Sequence, residues 1–181
     1  MTVLLSGGAK NGKSTLAQEL AVQLAKGGSL YYVATMIPAD EEDRDRIRRH
    51  IADRDGMGFE TLECGRDILS CLENADREGT FLLDSATALL LNELFPDPTS
   101  CGMDDAAPKR CAEGLCEFAR RVKNAVIVSD YIYSDAALYD EVTETYRRGL
   151  AYVDRCLAKV CDTVAEVSCG NVILHKGVLP E

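Results

Sequence analysis

The chain has 181 residues, 46% hydrophobic and 28% charged, which is the balance of a globular protein with a substantial core. We therefore expect one domain over residues 1–181. Its net charge of −10, from 30 acidic and 20 basic residues, argues against a nucleic-acid-binding surface. No apolar run approaches the roughly 20 residues of a membrane span, and Met1 leads into a strand pattern rather than a signal peptide. The expectation is a cytoplasmic protein that acts on a small molecule.

A glycine-rich loop with the pattern G-x-x-x-x-G-K-[ST] directly follows the first predicted strand, residues 2–6. Ser14 opens a helical pattern, so the loop lies between a strand and a helix. This context predicts a phosphate-binding loop, in which backbone amides and a helix N-terminus surround the phosphates. We expect Lys13 to reach the β- and γ-phosphates of a nucleoside triphosphate and Ser14 to hold Mg²⁺. The loop consists of Gly7, Gly8, Ala9, Lys10, Asn11, Gly12, Lys13 and Ser14.

Strand-like and helix-like patterns alternate along the rest of the chain. The first helix is predicted to end near Lys26, before Gly27-Gly28. Further strands are predicted over 29–35, 59–63, 80–84, 125–130, 164–169 and 172–176. Helices are predicted over 40–54 with Asp40 as N-cap, 66–75, 86–95, 109–122 and 135–161, with a loop over 96–108. The alternation predicts an α/β fold with a mostly parallel central sheet and helices on both faces, and Gly170-Asn171 indicates a C-terminal antiparallel hairpin.

Two of the apolar strands end in an aspartate, Asp84 and Asp130. In proteins with a phosphate-binding loop, an acid at such a position lies near Mg²⁺ or orients the attacking group. We expect at least one of the two to do so. The candidate Mg²⁺ ligands are therefore Ser14, Asp84 and Asp130.

His50 is one of only two histidines and lies in the charged helix predicted over 40–54. Arg46 and Arg54 are one helical turn to either side of it. Cations on both sides favour a neutral, nucleophilic imidazole and can also bind phosphate oxygens. Such a histidine can attack an α-phosphate and form a phosphoramidate. His175, in the last strand, is expected to be structural.

Eight cysteines occur without any C-x-x-C pair. In a cytoplasmic protein they are expected to be reduced. Several occupy core-like positions, such as Cys156 in a helix and Cys169 in a strand, so we expect small hydrophobic side chains rather than a metal site.

Five segments of the chain follow the pattern of one known family. They are Leu4–Ser14; Tyr32–Thr35; Arg46–His50 with Arg54 and Thr61–Glu63; Leu82–Thr87 with Asn92; and Tyr146–Arg147 with Val153, Leu157–Ala158 and Asp162. Through them the chain resembles the bifunctional adenosylcobinamide kinase / adenosylcobinamide-phosphate guanylyltransferases of cobalamin nucleotide-loop assembly.

The resemblance implies a RecA-like fold, usually assembled as a homotrimer, that uses ATP or GTP as substrate. It implies phosphorylation of the cobinamide aminopropanol hydroxyl and transfer of GMP onto that phosphate. His50 matches the histidine that carries GMP covalently. The positions that match guanine-nucleotide contacts are Ala34, Thr35, Met36, Ile51, Ala52, Asp53, Arg54, Glu63 and Asp84.

The chain departs from the family pattern after its late buried strand. The family usually has N-E-V-G there, whereas this chain has Asp130-Tyr131-Ile132-Tyr133-Ser134, and Asp154-Arg155 replaces a usual Asn-Gln. A corrinoid kinase and guanylyltransferase is the leading hypothesis. A kinase of another small alcohol and a nucleotide-binding regulatory protein are the alternatives, although a pure regulator has no need of His50 and its arginines.

Overall fold

The computed structural model describes residues 1–97 and 102–180. Its strands are β1 (Thr2–Gly7), β2 (Leu30–Ala34), β3 (Glu60–Glu63), β4 (Thr80–Asp84), β5 (Asn124–Asp130), β6 (Thr163–Ser168) and β7 (Asn171–Lys176). Its α-helices are α1 (Lys13–Ala25), α2 (Glu41–Asp53), α3 (Ala86–Leu94), α4 (Ala107–Arg121) and α5 (Glu141–Val160). In the described part of the chain, the strands form one sheet in the order β3-β2-β4-β5-β1-β6-β7.

The strands β1 to β6 run parallel, and β7 pairs antiparallel with β6. The predicted α/β architecture with a C-terminal hairpin is confirmed. Because the strands are parallel, the ends of β1, β4 and β5 meet at one edge of the sheet. In the register, Gly7 faces Asp130 and Asp84 faces Val128. The loop after β1 and both predicted acids therefore lie at the same edge.

Apolar side chains of the sheet alternate between two cores. Val3, Leu5 and Tyr32 point to the side covered by α1, and Leu4, Tyr31 and Phe81 to the side covered by α3, α4 and α5. Strands buried on both faces read as continuous apolar runs, which is why β1, β4 and β5 were recognisable in the sequence. Helices on both faces hold the sheet edge that carries the loop.

Two predicted helices are wrong in extent. Over 66–75 the chain forms only a short 3₁₀ helix, Ile68–Leu72. Asp67, just before it, has a left-handed φ of 46°, and its amide donates to the Glu93 carboxylate of α3 at 2.9 Å, so a tertiary contact fixes the backbone where the α-helix was expected. The helix predicted over 135–161 begins at Glu141, where Asp140 caps it by accepting a hydrogen bond from the Thr143 amide. Residues 135–140 instead form a loop around Arg147.

The hairpin between β6 and β7 turns one residue earlier than predicted. Cys169 and Gly170 both have left-handed φ values, 50° and 76°, so they are the central residues of the turn. Cys169 is exposed, and its predicted place in a strand is wrong. The cysteines of the described residues are free thiols; Cys64, Cys111, Cys116 and Cys161 are buried, as expected for small hydrophobic side chains.

In residues 1–97 and 102–180, no helix is both long and apolar enough to cross a membrane. Part of the loop predicted over 96–108, residues 98–101, lies outside the described residues, and α4 begins inside it at Ala107. The other strand and helix predictions agree with the structure to within two residues at each end.

Candidate nucleotide-binding site

The loop between β1 and α1 is shaped by two glycines. A Cβ at Gly7 would lie 2.5 Å from the main-chain oxygen of Val167, so only glycine fits beside β6. Gly12 has a left-handed φ of 86° and precedes α1. No side chain caps α1, and its first turn contains no acidic residue. The amides of that first turn are therefore directed at the loop, an arrangement that favours an anion.

Lys13 is buried at the base of this loop, with 5% of its side chain exposed. Its Nζ donates to the Gly8 carbonyl oxygen at 2.6 Å and lies 2.7 Å from Oδ1 of Asp130. The register that places Gly7 opposite Asp130 explains this ion pair. Asp130 is thus the partner of Lys13 in this structure, and a phosphate that reaches Lys13 competes with it.

Asp84 lies one strand further from the loop, because β5 separates β4 from β1. Its Oδ2 accepts a hydrogen bond of 2.8 Å from the hydroxyl of Tyr32. No side chain in residues 1–97 or 102–180 is seen to donate to its other oxygen, Oδ1. Burial, together with the charge and hydrogen bond of Asp84, raises the pKa of Tyr32 far above its usual value, so the hydroxyl remains a donor.

Helix α2, which carries His50, is an exposed and highly charged helix. It buries none of its residues, and its ion pairs, such as that between Arg44 and Glu41, are solvent-exposed. Asp40 caps it by accepting from the Asp43 amide at 2.9 Å, as predicted. A helix of this length is marginal in water by itself, so its attachment to the sheet through Arg54 matters for its position.

Arg54, just after α2, is the buried residue that connects the helix to the sheet. Its guanidinium is 4.0 Å from the ring centroid of Tyr32 and donates to the Thr61 hydroxyl at 3.0 Å. It also donates to the main-chain oxygen of His50 at 2.8 Å. The family resemblance predicts that Arg54 contacts the nucleotide. In this structure its hydrogen bonds and stacking are made to other residues of the protein, and 7% of the residue is exposed.

The face of α2 that carries His50 is directed at the ends of β2 and β4. Arg46, His50 and Arg54 are spaced by four residues and share one helical face. Arg54 stacks on Tyr32, and the charge of Arg46 also acts on the Tyr32 hydroxyl. The imidazole of His50 makes no hydrogen bond or ion pair within the described residues, and it is the main-chain oxygen of His50 that is joined to the sheet, through Arg54. The role of His50 stays a prediction.

The remaining predicted contact positions differ in exposure. Thr35 is fully buried, and its hydroxyl both donates to the Ser85 carbonyl and accepts from the Ser85 amide, at 2.9 and 2.7 Å. Ala34 and Met36 are half-buried, while Glu63 at the end of β3 is exposed. Ile51, Ala52 and Asp53 are exposed on α2. Their positions surround the same sheet edge, and their roles stay predictions.

The segment that departs from the family pattern packs directly against the loop. The Tyr131 amide donates to the Gly7 carbonyl oxygen at 3.3 Å. The Tyr131 hydroxyl interacts with Glu166, which is 3.0 Å from His175. Sequence reasoning missed Tyr32 and Glu166, because a tyrosine in an apolar strand and a glutamate on β6 are not distinctive until the sheet is assembled.

The donors of the site suit Mg²⁺ better than a softer metal. Ser14, Asp84 and Asp130 supply only oxygen atoms, and Mg²⁺ binds few protein oxygens together with substrate phosphates. Among the described residues, no group of three or more His, Cys, Asp or Glu side chains is arranged to hold a metal by itself. A metal held jointly with a nucleotide is compatible with this arrangement.

A strand, a glycine-rich loop, an uncapped helix and a buried lysine at the carboxyl edge of a parallel sheet define a nucleotide-binding protein of the P-loop class. Solved structures agree with this fold. An archaeal protein, PH0250 of Pyrococcus horikoshii, is 11% identical with a TM-score of 0.53, over 98% of this chain and 86% of its own. A solved ATPase domain is 12% identical with a TM-score of 0.53, over 97% of this chain and 76% of its own.

Within that class, the sequence identifies the family. Residues 3–174 match the cobinamide kinase / cobinamide phosphate guanyltransferase family, and the chain belongs to it. The bifunctional adenosylcobalamin biosynthesis protein CobP of Pseudomonas aeruginosa is 28% identical over 179 residues, which cover 98% of each chain. The protein is therefore a kinase and nucleotidyltransferase of cobalamin biosynthesis, and the expected RecA-like P-loop fold is confirmed.

Proposed function

We propose that this chain phosphorylates adenosylcobinamide and then transfers GMP from GTP to the product through a guanylyl-histidine at His50. The observation that carries the proposal is the face of α2: His50 lies between Arg46 and Arg54, and that face is directed at Asp84 through Tyr32. A P-loop kinase of another alcohol needs no histidine at this place.

In the guanylyl transfer, an imidazole nitrogen of His50 attacks the α-phosphorus of GTP. The new nitrogen–phosphorus bond forms as the bond to the β-phosphate oxygen breaks, and pyrophosphate leaves with the electron pair. A phosphate oxygen of cobinamide phosphate then attacks the same phosphorus, so the nitrogen–phosphorus bond breaks and His50 is regenerated. Arg46 neutralises developing phosphate charge, while Glu63 and Asp84 contact the nucleotide.

In the phosphorylation, the aminopropanol hydroxyl attacks the γ-phosphorus of ATP or GTP and gives up its proton to a nearby base. The bond from that phosphorus to the β,γ-bridging oxygen breaks, and the nucleoside diphosphate leaves with the electron pair. Lys13 leaves Asp130 for the β- and γ-phosphates, and the amides of the loop surround the same oxygens. Once released, Asp130 faces the γ-phosphate from β5 and can orient the hydroxyl. Ser14 and Asp84 would hold Mg²⁺, which supplies neutralisation of phosphate charge.

Several wider properties belong to the same proposal. The corrinoid and the nucleoside triphosphate are the partners, no nucleic acid is bound, and the chain is a single cytoplasmic domain that forms a homotrimer. The net charge of −10 supports the small-molecule substrate, because phosphate is met locally by Lys13 and a few arginines.

The proposal is tested by incubating the protein with Mg²⁺ and GTP labelled on its α-phosphate, followed by denaturing electrophoresis. Wild-type protein should retain the label, and acid but not base should release it, as for a phosphoramidate. His50→Ala should abolish labelling and lower guanylyl transfer by several orders of magnitude, about 10⁴-fold or more, as loss of a nucleophile does. It should retain phosphorylation of cobinamide, because Lys13 and the loop are intact.

His175→Ala is the matched control, since His175 is the only other histidine of the chain. It is exposed and contacts Glu166, and its removal should leave labelling intact. An unlabelled wild type that binds GTP well would rule out the covalent route. A wild type that phosphorylates no corrinoid, yet turns over another alcohol, would favour the small-alcohol kinase.

A further inference from the structure

Tyr32 is the residue at which the two halves of the site meet. Its hydroxyl donates to Oδ2 of Asp84 at 2.8 Å, and its ring carries the guanidinium of Arg54 at 4.0 Å. Arg54 in turn binds the main-chain oxygen of His50. A continuous set of contacts therefore runs from the end of α2 to the acid at the end of β4.

The tyrosine has little freedom in this position. Only 4% of it is exposed, and its ring packs in the α1-side core. Phe59 packs against the ring in a T-shaped arrangement, with the centroids 6.0 Å apart and the planes at 87° to one another. Arg54 lies over the ring face, so the ring is bounded by two neighbouring side chains. A hydroxyl on so constrained a ring fixes the orientation of the carboxylate that accepts from it.

Tyr31, the preceding residue, shows what a purely structural tyrosine does in the same strand. It points to the opposite face of the sheet, stacks on Phe81 at 4.8 Å, and accepts a hydrogen bond from the Asp76 amide. Its 6% exposure is close to the 4% of Tyr32. The two side chains thus share strand, burial and chemistry, but only one of them holds an acid of the site.

We propose that Tyr32 is a positioning residue for both reactions: it orients the Asp84 carboxylate toward the nucleotide and couples that orientation, through Arg54, to the helix end that carries His50. This inference rests on the proposed role of Asp84 at the nucleotide. It adds a function for a strand residue that does not itself touch substrate.

The test compares Tyr32→Phe with Tyr31→Phe. Tyr32→Phe keeps the ring and its contact with Arg54 and removes only the donor to Asp84. At saturating GTP it should slow self-guanylylation about 10- to 100-fold, the scale of a small misplacement in a site. The KM for GTP should change less than about threefold, because the contact removed stabilises the transition state and not the binding of GTP. Tyr31→Phe should lose comparable thermal stability and keep its rate within about twofold.

A double-mutant cycle shows whether Tyr32 acts through Asp84. In an Asp84→Ala background, adding Tyr32→Phe should change the rate by less than about twofold, because no carboxylate remains to be positioned. A wild-type rate for Tyr32→Phe, or a full additional loss in the Asp84→Ala background, would overturn the proposal.

The same proteins separate this inference from the proposed function. If wild-type protein is never labelled by GTP, the guanylyl-histidine fails by itself. The cycle is then measured on the phosphorylation of cobinamide, where the same two outcomes support or overturn the role of Tyr32.

Discussion

At the scale of single residues, Asp154 is an acidic side chain that the fold buries. It is 6% exposed, and the Tyr133 hydroxyl donates to its Oδ2 at 2.7 Å. Ser129 lies close enough to lower the pKa of the Asp154 carboxyl. Within the described residues, however, neither Oγ of Ser129 nor Oδ1 of Asp154 has a hydrogen-bond partner. Tyr133 and Asp154 are both departures from the family pattern, and folding brings them into contact.

Burial raises the pKa of Asp154, with a further small contribution from the charge of Asp130, while Tyr133 and Ser129 oppose it. In the folded state the carboxyl holds its proton at higher pH than in the unfolded state. The associated stability is therefore present below the unfolded pKa, about 3.9, and is lost as pH rises through the higher folded value.

Asp154→Asn removes this titration and supplies an amide donor. The melting temperature of the variant minus that of the wild type should increase as pH rises from about 4 toward 7. Exposed Asp105→Asn is the matched control and should follow the wild type. A constant difference between Asp154→Asn and wild type across this range would contradict the assignment.

At the scale of elements, Arg147 organises the segment between β5 and α5. Its side chain is 9% exposed, and it donates to the main-chain oxygens of Ile132 and Asp135 at 3.0 and 3.3 Å. It also pairs with the carboxylates of Asp135 and Glu144 at 2.8 and 2.5 Å. Its guanidinium lies 4.6 Å from the ring centroid of Tyr139. One buried cation therefore holds a loop that contains no regular structure.

Arg147→Met should release the backbone of this loop and so allow chymotrypsin to cut after Leu138 and Tyr139, whose side chains are already 98% and 45% exposed. Removing one partner of a buried ion pair costs about 3–5 kcal/mol, although Asp135 is half exposed and the loss should be at the lower end or below it. Limited proteolysis with fragment mass analysis measures the opening.

Arg148→Met is the matched control, because Arg148 is the next residue of α5 and is exposed. It should be cut at the wild-type rate. Equal protection of all three proteins would mean that the loop is held by contacts other than those of Arg147.

At the scale of the whole molecule, the parallel sheet brings the loop, both acids and the C-terminal end of α2 to one edge, while β7 is the last strand on one side of the sheet. All six residues of β7 are exposed, and Val172, Ile173 and Leu174 are 42–46% exposed. An apolar edge strand is a surface that proteins usually cover. An exposed apolar β7 is consistent with the proposed homotrimer, although it does not identify which surfaces the subunits share.

Sedimentation velocity should therefore give a single species of three times the 19.7 kDa chain mass. The expectation follows from the family resemblance and from the exposed apolar edge. A species of 19.7 kDa that keeps full activity when diluted would contradict the trimer and leave the proposed chemistry unaffected.

Local sequence patterns were sufficient for the strands and for the loop. Thr2–Gly7, Thr80–Asp84 and Asn124–Asp130 each contain an unbroken run of three or four apolar residues, since burial on both faces leaves no alternation to detect. The loop needs glycine where its backbone approaches β6 and where it turns left-handed. These requirements fix residue types at set positions, so the loop can be recognised from the sequence alone. The segments over 66–75 and 135–161 were misread, because tertiary contacts rather than helix propensity determine their backbone.

By itself, the sequence determined the order of strands and helices, the phosphate-binding loop, the capped polar helix with His50, and the family. Only the tertiary structure decided which acid meets which partner: Asp130 pairs with Lys13, whereas Asp84 accepts from Tyr32. The strand order decides this, because β5 lies beside β1 and β4 lies beside β2. Spacing along the chain cannot reveal such contacts, since they join residues separated by 52 positions or more.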